Sequence, residues 1–427
     1  MKVSVFETAV TMASASSLLV FLVSFVMSLS FLQAANLRYF VQFQIFYGKK
    51  SIFAQFFIKR MPVLEKIIIK DFKNIAAQEV SLSRGVNCIT GDNGAGKTNL
   101  LDAVYYLSMT KSAFSQSDRY NSANGCGEFS LSGLYLFENG TENRYSVNVR
   151  KGQKTVRVNG KNYERLSEHI GVLPIVMVSP YDTSLVNESG EERRRFMNIL
   201  LSQLDREYLR AMQNYNRLMM QRNSLLKSPS ADIPLLSVLD SKIASPAAYI
   251  YGKRKDFSDR ILPQVRKFYA EVSGADPDIG IVYRSDLENT GMEELLSASR
   301  EKDIAAGYTL KGVHRDELDF YVGDLPLRKC GSQGQQKSFT VALKFAQYSM
   351  MRDVYGFPPL MLLDDLFDKL DPGRVTNLLR IVSGEGFGQI FLTDCNKSRV
   401  HDIMDSLSGN KACYEAKAGT FTLLEKQ

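Results

Sequence analysis

Residues 91–98 read Gly91-Asp92-Asn93-Gly94-Ala95-Gly96-Lys97-Thr98, a complete G-x-x-x-x-G-K-T phosphate loop. A short apolar run, Val86 to Thr90, precedes it, and a helical pattern from Asn99 to Val104 follows. Strand, glycine loop and helix in that order constrain the fold more than any other feature of the chain. The glycines let backbone N–H groups converge on a β-phosphate, and the helix N-terminus adds the positive end of its dipole. Lys97 is expected to reach the β- and γ-phosphates, and Thr98 to place a hydroxyl on Mg²⁺.

The chain has 427 residues, enough for two or three domains, and its 44% hydrophobic content suits a real core. The formal charge is +7, but the first 60 residues carry +5 of it and the rest only +2. Any nucleic-acid contact must therefore come from a local basic surface, not a global field. The five cysteines, Cys88, Cys126, Cys330, Cys395 and Cys413, are scattered and show no metal spacing. Reduced thiols in a cytoplasmic protein are the expectation.

The N-terminus reads differently. Residues 8–37 contain no charge, and Leu18 to Leu32 is almost wholly apolar. Taken literally, that is a signal peptide or a membrane anchor. A second methionine, Met61, stands directly before a clean strand pattern, Val63 to Ile69. The expectation is that Met61 is the natural start and that residues 1–60 lie upstream of it.

From Val63 to Val178 the chain reads as strands, with hairpin signals at Asn139-Gly140, Lys151-Gly152 and Asn159-Gly160. From Glu191 to Lys227 it keeps a helical period with no Gly or Pro. A second helical stretch, Leu235 to Val272, is expected to be interrupted at Pro246 and Pro263. Strand and helix alternate again from about Gly307. The predicted division is an extension over 1–60, an ATPase-type half over 61–188, a helical lid over 189–304 and a second half over 305–427.

Further segments carry nucleotide chemistry. Leu360-Met361-Leu362-Leu363-Asp364-Asp365 is an apolar strand ending in acid, a Walker B element. It would deliver Asp364 to the Mg²⁺ shell beside Thr98, with Asp365 orienting or deprotonating the attacking water. Ser332-Gln333-Gly334-Gln335 opens a helix about thirty residues earlier, where Ser332, Gly334 and Gln335 could meet a phosphate from outside. Phe367 to Asp371 is similar to a D-loop. Thr393-Asp394 ends a strand where a switch histidine is common, but no histidine stands there. This order of motifs resembles ABC-type ATPases, in which one protomer's signature covers the γ-phosphate held by another. Asp365, shorter than the usual Glu, leads us to expect slow hydrolysis and switch-like use of ATP.

The resemblance becomes specific in Leu64 to Asn74, the phosphate loop through Val104, Ser179-Pro180-Tyr181-Asp182 and Glu192 to Phe196. It continues in Gly312 to Glu317, Gly331 to Lys337 and Asp364-Asp365 with Asp371. Together these are similar to the RecF family of recombination mediators, related to SMC heads, across residues 61–427. The resemblance implies an α/β ABC-type ATPase head: a mixed sheet with flanking helices, an antiparallel subdomain and an inserted helical lid. It implies a cytoplasmic ATP- and Mg²⁺-binding protein of DNA repair and replication, linked to DNA damage and the SOS response. Such proteins dimerise on ATP, bind DNA near single-strand/duplex junctions and work with RecO and RecR to help RecA load. Three positions depart from the pattern: Val313 replaces Pro, Lys73 replaces Arg, and no Gln stands near Ser179-Pro180. The ATP subunit of a membrane transporter is the alternative; its signature would lie closer to both Walker motifs.

Arg193-Arg194-Arg195 read equally as DNA or partner contacts and as a solvated helix face. The second basic stretch, Lys253-Arg254-Lys255, Arg260, Arg266 and Lys267, reads more readily as wet surface than as a phosphate track. His314 is expected to pack structurally, and Met212, Met219 and Met220 to be core or a helix contact.

Overall fold

In the computed structural model, the described residues are 61–427, apart from 124–126, 229–231, 276, 368–370, 385, 408 and 427. The apolar run and the proposed upstream segment fall outside them. Among the described residues no helix is long and apolar enough to cross a membrane.

The central sheet forms around strands that are buried on both faces. These are β3 (Val86–Thr90), β8 (Ile175–Val178), β12 (Leu360–Leu363) and β13 (Ile390–Asp394). Such continuous apolar runs require cover on both sides, which parallel sheets receive from crossover segments. With β14 (Lys411–Lys417) and β15 (Thr420–Lys426) the order is β15-β14-β3-β13-β12-β8. All neighbours are parallel except β14 and β15. The register sets Ile89 beside Thr393, Thr90 beside Asp394 and Leu363 beside Leu392. The ends of β3, β12 and β13 therefore share one edge, where open α/β sheets bind ligands.

A second sheet is antiparallel. It contains β1 (Pro62–Phe72), β2 (Ile75–Ser81), β4 (Phe129–Phe137), β5 (Glu142–Arg150), β6 (Gln153–Val158) and β7 (Lys161–Asn162), in the order β2-β1-β4-β5-β6-β7. At Lys151-Gly152 and Asn159-Gly160 both turn residues have positive φ (49° and 75°, 49° and 80°). That is the type I′ geometry whose twist matches the flanking strands.

The phosphate-loop helix, Lys97–Met109, lies between the two sheets. Leu100, Leu101 and Val104 share one core with Ile67 and Leu131 of the antiparallel sheet and Ile89 and Leu362 of the parallel one. Alternation sends Cys88, Leu363 and Leu392 to the other face. There they join the signature helix, Gln333–Tyr355, and the long helix, Ile233–Ser273. Gln389 stitches the sheets together: its amide oxygen accepts from Leu64 N at 2.8 Å, and its Nε2 donates to Leu64 O at 2.8 Å and Ser83 O at 2.7 Å.

The middle of the chain differs from its sequence reading in three ways. The first helical stretch is two helices, Gly190–Leu204 and Arg206–Leu226. Asp205 ends one and caps the next, accepting from Glu207 N at 2.8 Å and Tyr208 N at 3.2 Å. The second runs unbroken through Pro246 and Pro263 for 41 residues. Its fully buried face, including Ile243, Ile250 and Ile261, holds the helix through the hydrogen bonds each proline removes. Finally, the 189–304 segment is not all helix. Its strand β9 (Ile279–Arg284) pairs antiparallel with β10 (Glu317–Val322), which also pairs with β11 (Leu325–Pro326). The described residues from 61 onward form one compact unit.

A buried ionic cluster locks the helices of this middle segment. Arg222 donates from Nε to Asp240 Oδ1 at 2.7 Å, and from Nη1 to Asp303 Oδ2 at 2.8 Å and Thr309 Oγ1 at 2.7 Å. Arg222, Asp240 and Asp303 are all fully buried. Removing one partner strands a charge, which costs about 3–5 kcal/mol. Asp303→Ala should therefore lower stability in urea melts by about that much. Asp256→Ala, which breaks the exposed Arg260 pair, should change it by under about 1 kcal/mol.

Candidate nucleotide site

The phosphate loop leaves β3 and turns into its helix at Gly96, whose φ of 108° favours glycine. A Cβ there would also lie 2.9 Å from the Asn74 side chain. Asn74 is close for a reason: its Nδ2 donates to Gly94 O at 3.2 Å, and its Oδ1 accepts from Asn99 Nδ2 at 2.8 Å. It pins the loop to the turn between β1 and β2. Lys97 is buried and folds over the loop, its Nζ donating to Gly91 O at 2.8 Å and Asp92 O at 3.2 Å. The ammonium thus stands over the ring of residues 91–96, with Asp92, Asn93 and Gly94 exposed on its outer side and Ala95 buried.

Thr98 meets Walker B. Its hydroxyl lies 2.9 Å and 3.0 Å from the two oxygens of Asp364, 266 residues away. Thr393 Oγ1 donates to Asp364 Oδ1 at 2.8 Å and accepts from Asp365 N at 2.9 Å. Thr393, where a switch histidine was sought, therefore holds both acids of the doublet. Asp365 has a φ of 41°, an uncommon backbone state that Asp tolerates better than most residues. Burial is the main cause that pushes the Asp364 carboxyl up to about 6, with Asp365 adding to it; the Thr393 and Thr98 hydroxyls oppose the shift. A buried carboxylate beside a threonine hydroxyl is a hard-oxygen donor set that suits Mg²⁺. A bound cation would offset the burial penalty on Asp364.

The signature residues begin the helix Gln333–Tyr355. Ser332 and Gln335 form a capping box: Gln335 N donates to Ser332 Oγ at 3.2 Å, and Ser332 N donates to Gln335 Oε1 at 2.8 Å. Ser332 is exposed. A Cβ on Gly334 would lie 2.7 Å from Arg374 Nη1, so glycine leaves room for the guanidinium where it stands. Arg374 is paired with Asp371 at 3.0 Å. Of the D-loop reading, residues 368–370 lie outside the described ones, while Asp371 caps the helix Pro372–Val382.

The structure turns most of the suspected basic residues inward or pairs them. Arg193 and Arg194 both contact Glu317, at 3.0 Å and 3.4 Å. Arg254 is buried against Asp316, Val313 O and Asn198. Lys253, Arg260, Arg266 and Lys267 each have an acidic partner. Lys73 pairs with the buried Asp102 of the phosphate-loop helix at 2.6 Å, a bracing contact. His314 packs against Tyr215 at 2.7 Å, and burial is the main cause that lowers its pKa and keeps it neutral.

One link was missed in the sequence. At the end of β8, where no Gln was found, Asp182 pairs with Lys344 of the signature helix at 2.8 Å. Lys344 also donates to Met177 O of β8 at 2.9 Å. The Ser179-x-x-Asp182 spacing, a capping box, was the available signal.

A phosphate loop, a Walker B acid at its threonine and an exposed Ser-x-Gly-Gln helix cap on a two-sheet frame define an ABC-type ATPase head. The family described as RecF/RecN/SMC N terminal domain matches residues 63–416. The chain is 40% identical over 367 residues to the DNA replication and repair protein RecF of Bacteroides fragilis (strain YCH46), covering 86% of this chain and 99% of the relative. It is 42% identical over 359 residues to that of Porphyromonas gingivalis (strain ATCC 33277), with coverages of 84% and 99%. A solved structure of the recombination mediator protein RecF-ATP in the RecFOR pathway is similar with a TM-score of 0.77 at 26% identity, covering 86% of this chain and 98% of that one. The chain belongs to the RecF family. None of these comparisons points to a transporter subunit.

The raised Asp364 pKa gives a signed prediction. Folded Asp364 holds its proton up to about pH 6, against 3.8 for the free side chain. Its protonation therefore favours the fold at low pH, and that contribution is lost as pH rises through 6. Asp364→Asn should raise the melting temperature of the ligand-free protein at pH 7.5, by at most about 3 kcal/mol of stability. Below pH 4 the gain should vanish. Mg²⁺-dependent nucleotide affinity of the native protein should fall as pH drops through 6.

Proposed function

We propose that this chain is an ATP-driven, DNA-binding recombination mediator of gap repair and replication restart. The observation that carries the reading is the Thr98–Asp364 contact. It brings two motifs separated by most of the chain into one site of the kind that holds a nucleoside triphosphate with its cation. In this reading residues 91–98 cradle the phosphates through backbone N–H groups and Lys97. Thr98 and Asp364 would hold Mg²⁺, which when bound would supply positive charge against the phosphates. Asp365 orients the attacking water. The exposed Ser332 cap, with Gly334 and Gln335, supports a scheme in which a second copy completes each site from outside.

ATP then acts by binding better to the closed pair than to the open one, so nucleotide shifts the population and hydrolysis releases it. The relatives' names support DNA replication and repair as the setting; work with RecO and RecR, help in RecA loading and a cytoplasmic location are part of the proposal. The residues 61–188 and 305–427 serve as the head and 189–304 as the lid.

Light scattering with and without ATP, in the presence of gapped DNA, tests the scheme. The native chain should double its mass on ATP. Lys97→Ala and Ser332→Arg should both stay monomeric and lose DNA retention, and a variant that still pairs on ATP would refute the arrangement. Steady-state turnover should lie well below about 10 per second, the ordinary enzyme median.

A further inference from the structure

The phosphate-loop helix ends at Met109, and Thr110 caps it with a φ of 54°. The next residue, Lys111, lines a cleft of about 530 Å³, together with Arg194, Arg195 and Asn198 of the helix Gly190–Leu204 and Gln213 and Asn216 of the helix Arg206–Leu226. Glu191 lines it as well. Most of the cations here are accounted for. Arg194 donates to Asp316 O at 2.7 Å and faces Glu317; Arg195 donates to Ala113 O at 3.2 Å and stands 3.6 Å from Glu192. Nearby Lys154 is paired with Asp118 at 2.9 Å.

Lys111 is the exception. Among the described residues it makes no ion pair, although its ammonium stands among these cations. Its side chain is exposed at the mouth of the cleft, yet desolvation by the protein around it is the main cause that lowers its pKa, and Arg195 and Lys154 lower it further. An ammonium crowded by like charge, with amide donors around an open volume, is an arrangement completed by an anion with several oxygens.

We propose that this cleft is a binding site for a phosphate group, held by Lys111, Arg194 and Arg195. Two sources share that chemistry: a nucleic-acid backbone phosphate and free inorganic phosphate. Assignment to the backbone rests on the DNA-binding reading above; the site itself does not. Asn198, Gln213 and Asn216 supply further hydrogen-bonding groups to the remaining oxygens. The site lies at the far end of the phosphate-loop helix from Thr98, so its occupant would bridge that helix to the helices Gly190–Leu204 and Arg206–Leu226.

The test reads Lys111 directly. Amine acetylation of the full chain with limiting reagent is followed at each lysine by mass spectrometry, at fixed ionic strength. The probes are inorganic phosphate, a gapped DNA duplex and chloride alone, with the exposed Lys267 as the internal control. Labelling of Lys111 slowed severalfold by both probes supports the site and assigns it to backbone phosphate. Slowing by inorganic phosphate alone supports the site with the free anion as its ligand. No slowing by either probe overturns the proposal, whether or not the duplex is retained on filters. If the native chain does not retain the duplex while phosphate still slows labelling, the DNA reading fails and the site stands. In the backbone case Lys111→Gln, with an unchanged melting temperature and unchanged ATP affinity, should reduce the slope of log affinity against log salt by about 1.

Discussion

The contact between Thr98 and Asp364 is the constraint around which the rest is organised. It exists because β3, β13 and β12 lie side by side and parallel, so that their C-terminal ends share an edge. Parallel neighbours need long crossovers, and the chain uses them to set its phosphate loop and Walker B acid far apart in sequence. Thr393, on the strand between, spans the gap through its hydroxyl. It donates to Asp364 and accepts from Asp365 N, so both acids keep their aim without a histidine. Burial makes this corner costly for the ionised Asp364, and a divalent cation is the natural relief.

The opposite half of the chemistry is built differently. Ser332 and Gln335 cap each other at the surface, and Gly334 leaves room for Arg374. This cap needs nothing from the Walker motifs to be stable, yet its helix is tied to β8 by Lys344 through Asp182 and Met177 O. The end of β8 is therefore tied to the middle of the signature helix by an ion pair rather than by a glutamine. On the other side, Asn74 clips the antiparallel sheet onto the nucleotide edge, and Gln389, just before β13, clips it to the opposite edge of the parallel sheet.

The basic residues show how little a charge run reveals alone. Arg254 sits in a run of three cations, yet it is the one turned fully inward, because the helical period directs it to Asp316 across the core. Arg193 and Arg194 share Glu317 from β10. Their acidic partners are more than 60 residues away, beyond the reach of any local pattern. Lys111, which no motif singled out, lines the cleft with no ion pair among the described residues.

The amino-acid sequence by itself determined the local chemistry: the glycine loop, the apolar strand ending in Asp364-Asp365, the Ser-x-Gly-Gln cap and the I′ hairpins. Each depends on neighbours within a few residues, so periodicity and turn residues suffice. Tertiary structure alone decided the continuity of the helix through Pro246 and Pro263, the break at Asp205 and the strand β9. Those outcomes depend on what each segment buries against, and a partner on a distant element overrides local preference. It also decided that Thr393 serves both acids, since that role exists only where three strands end together.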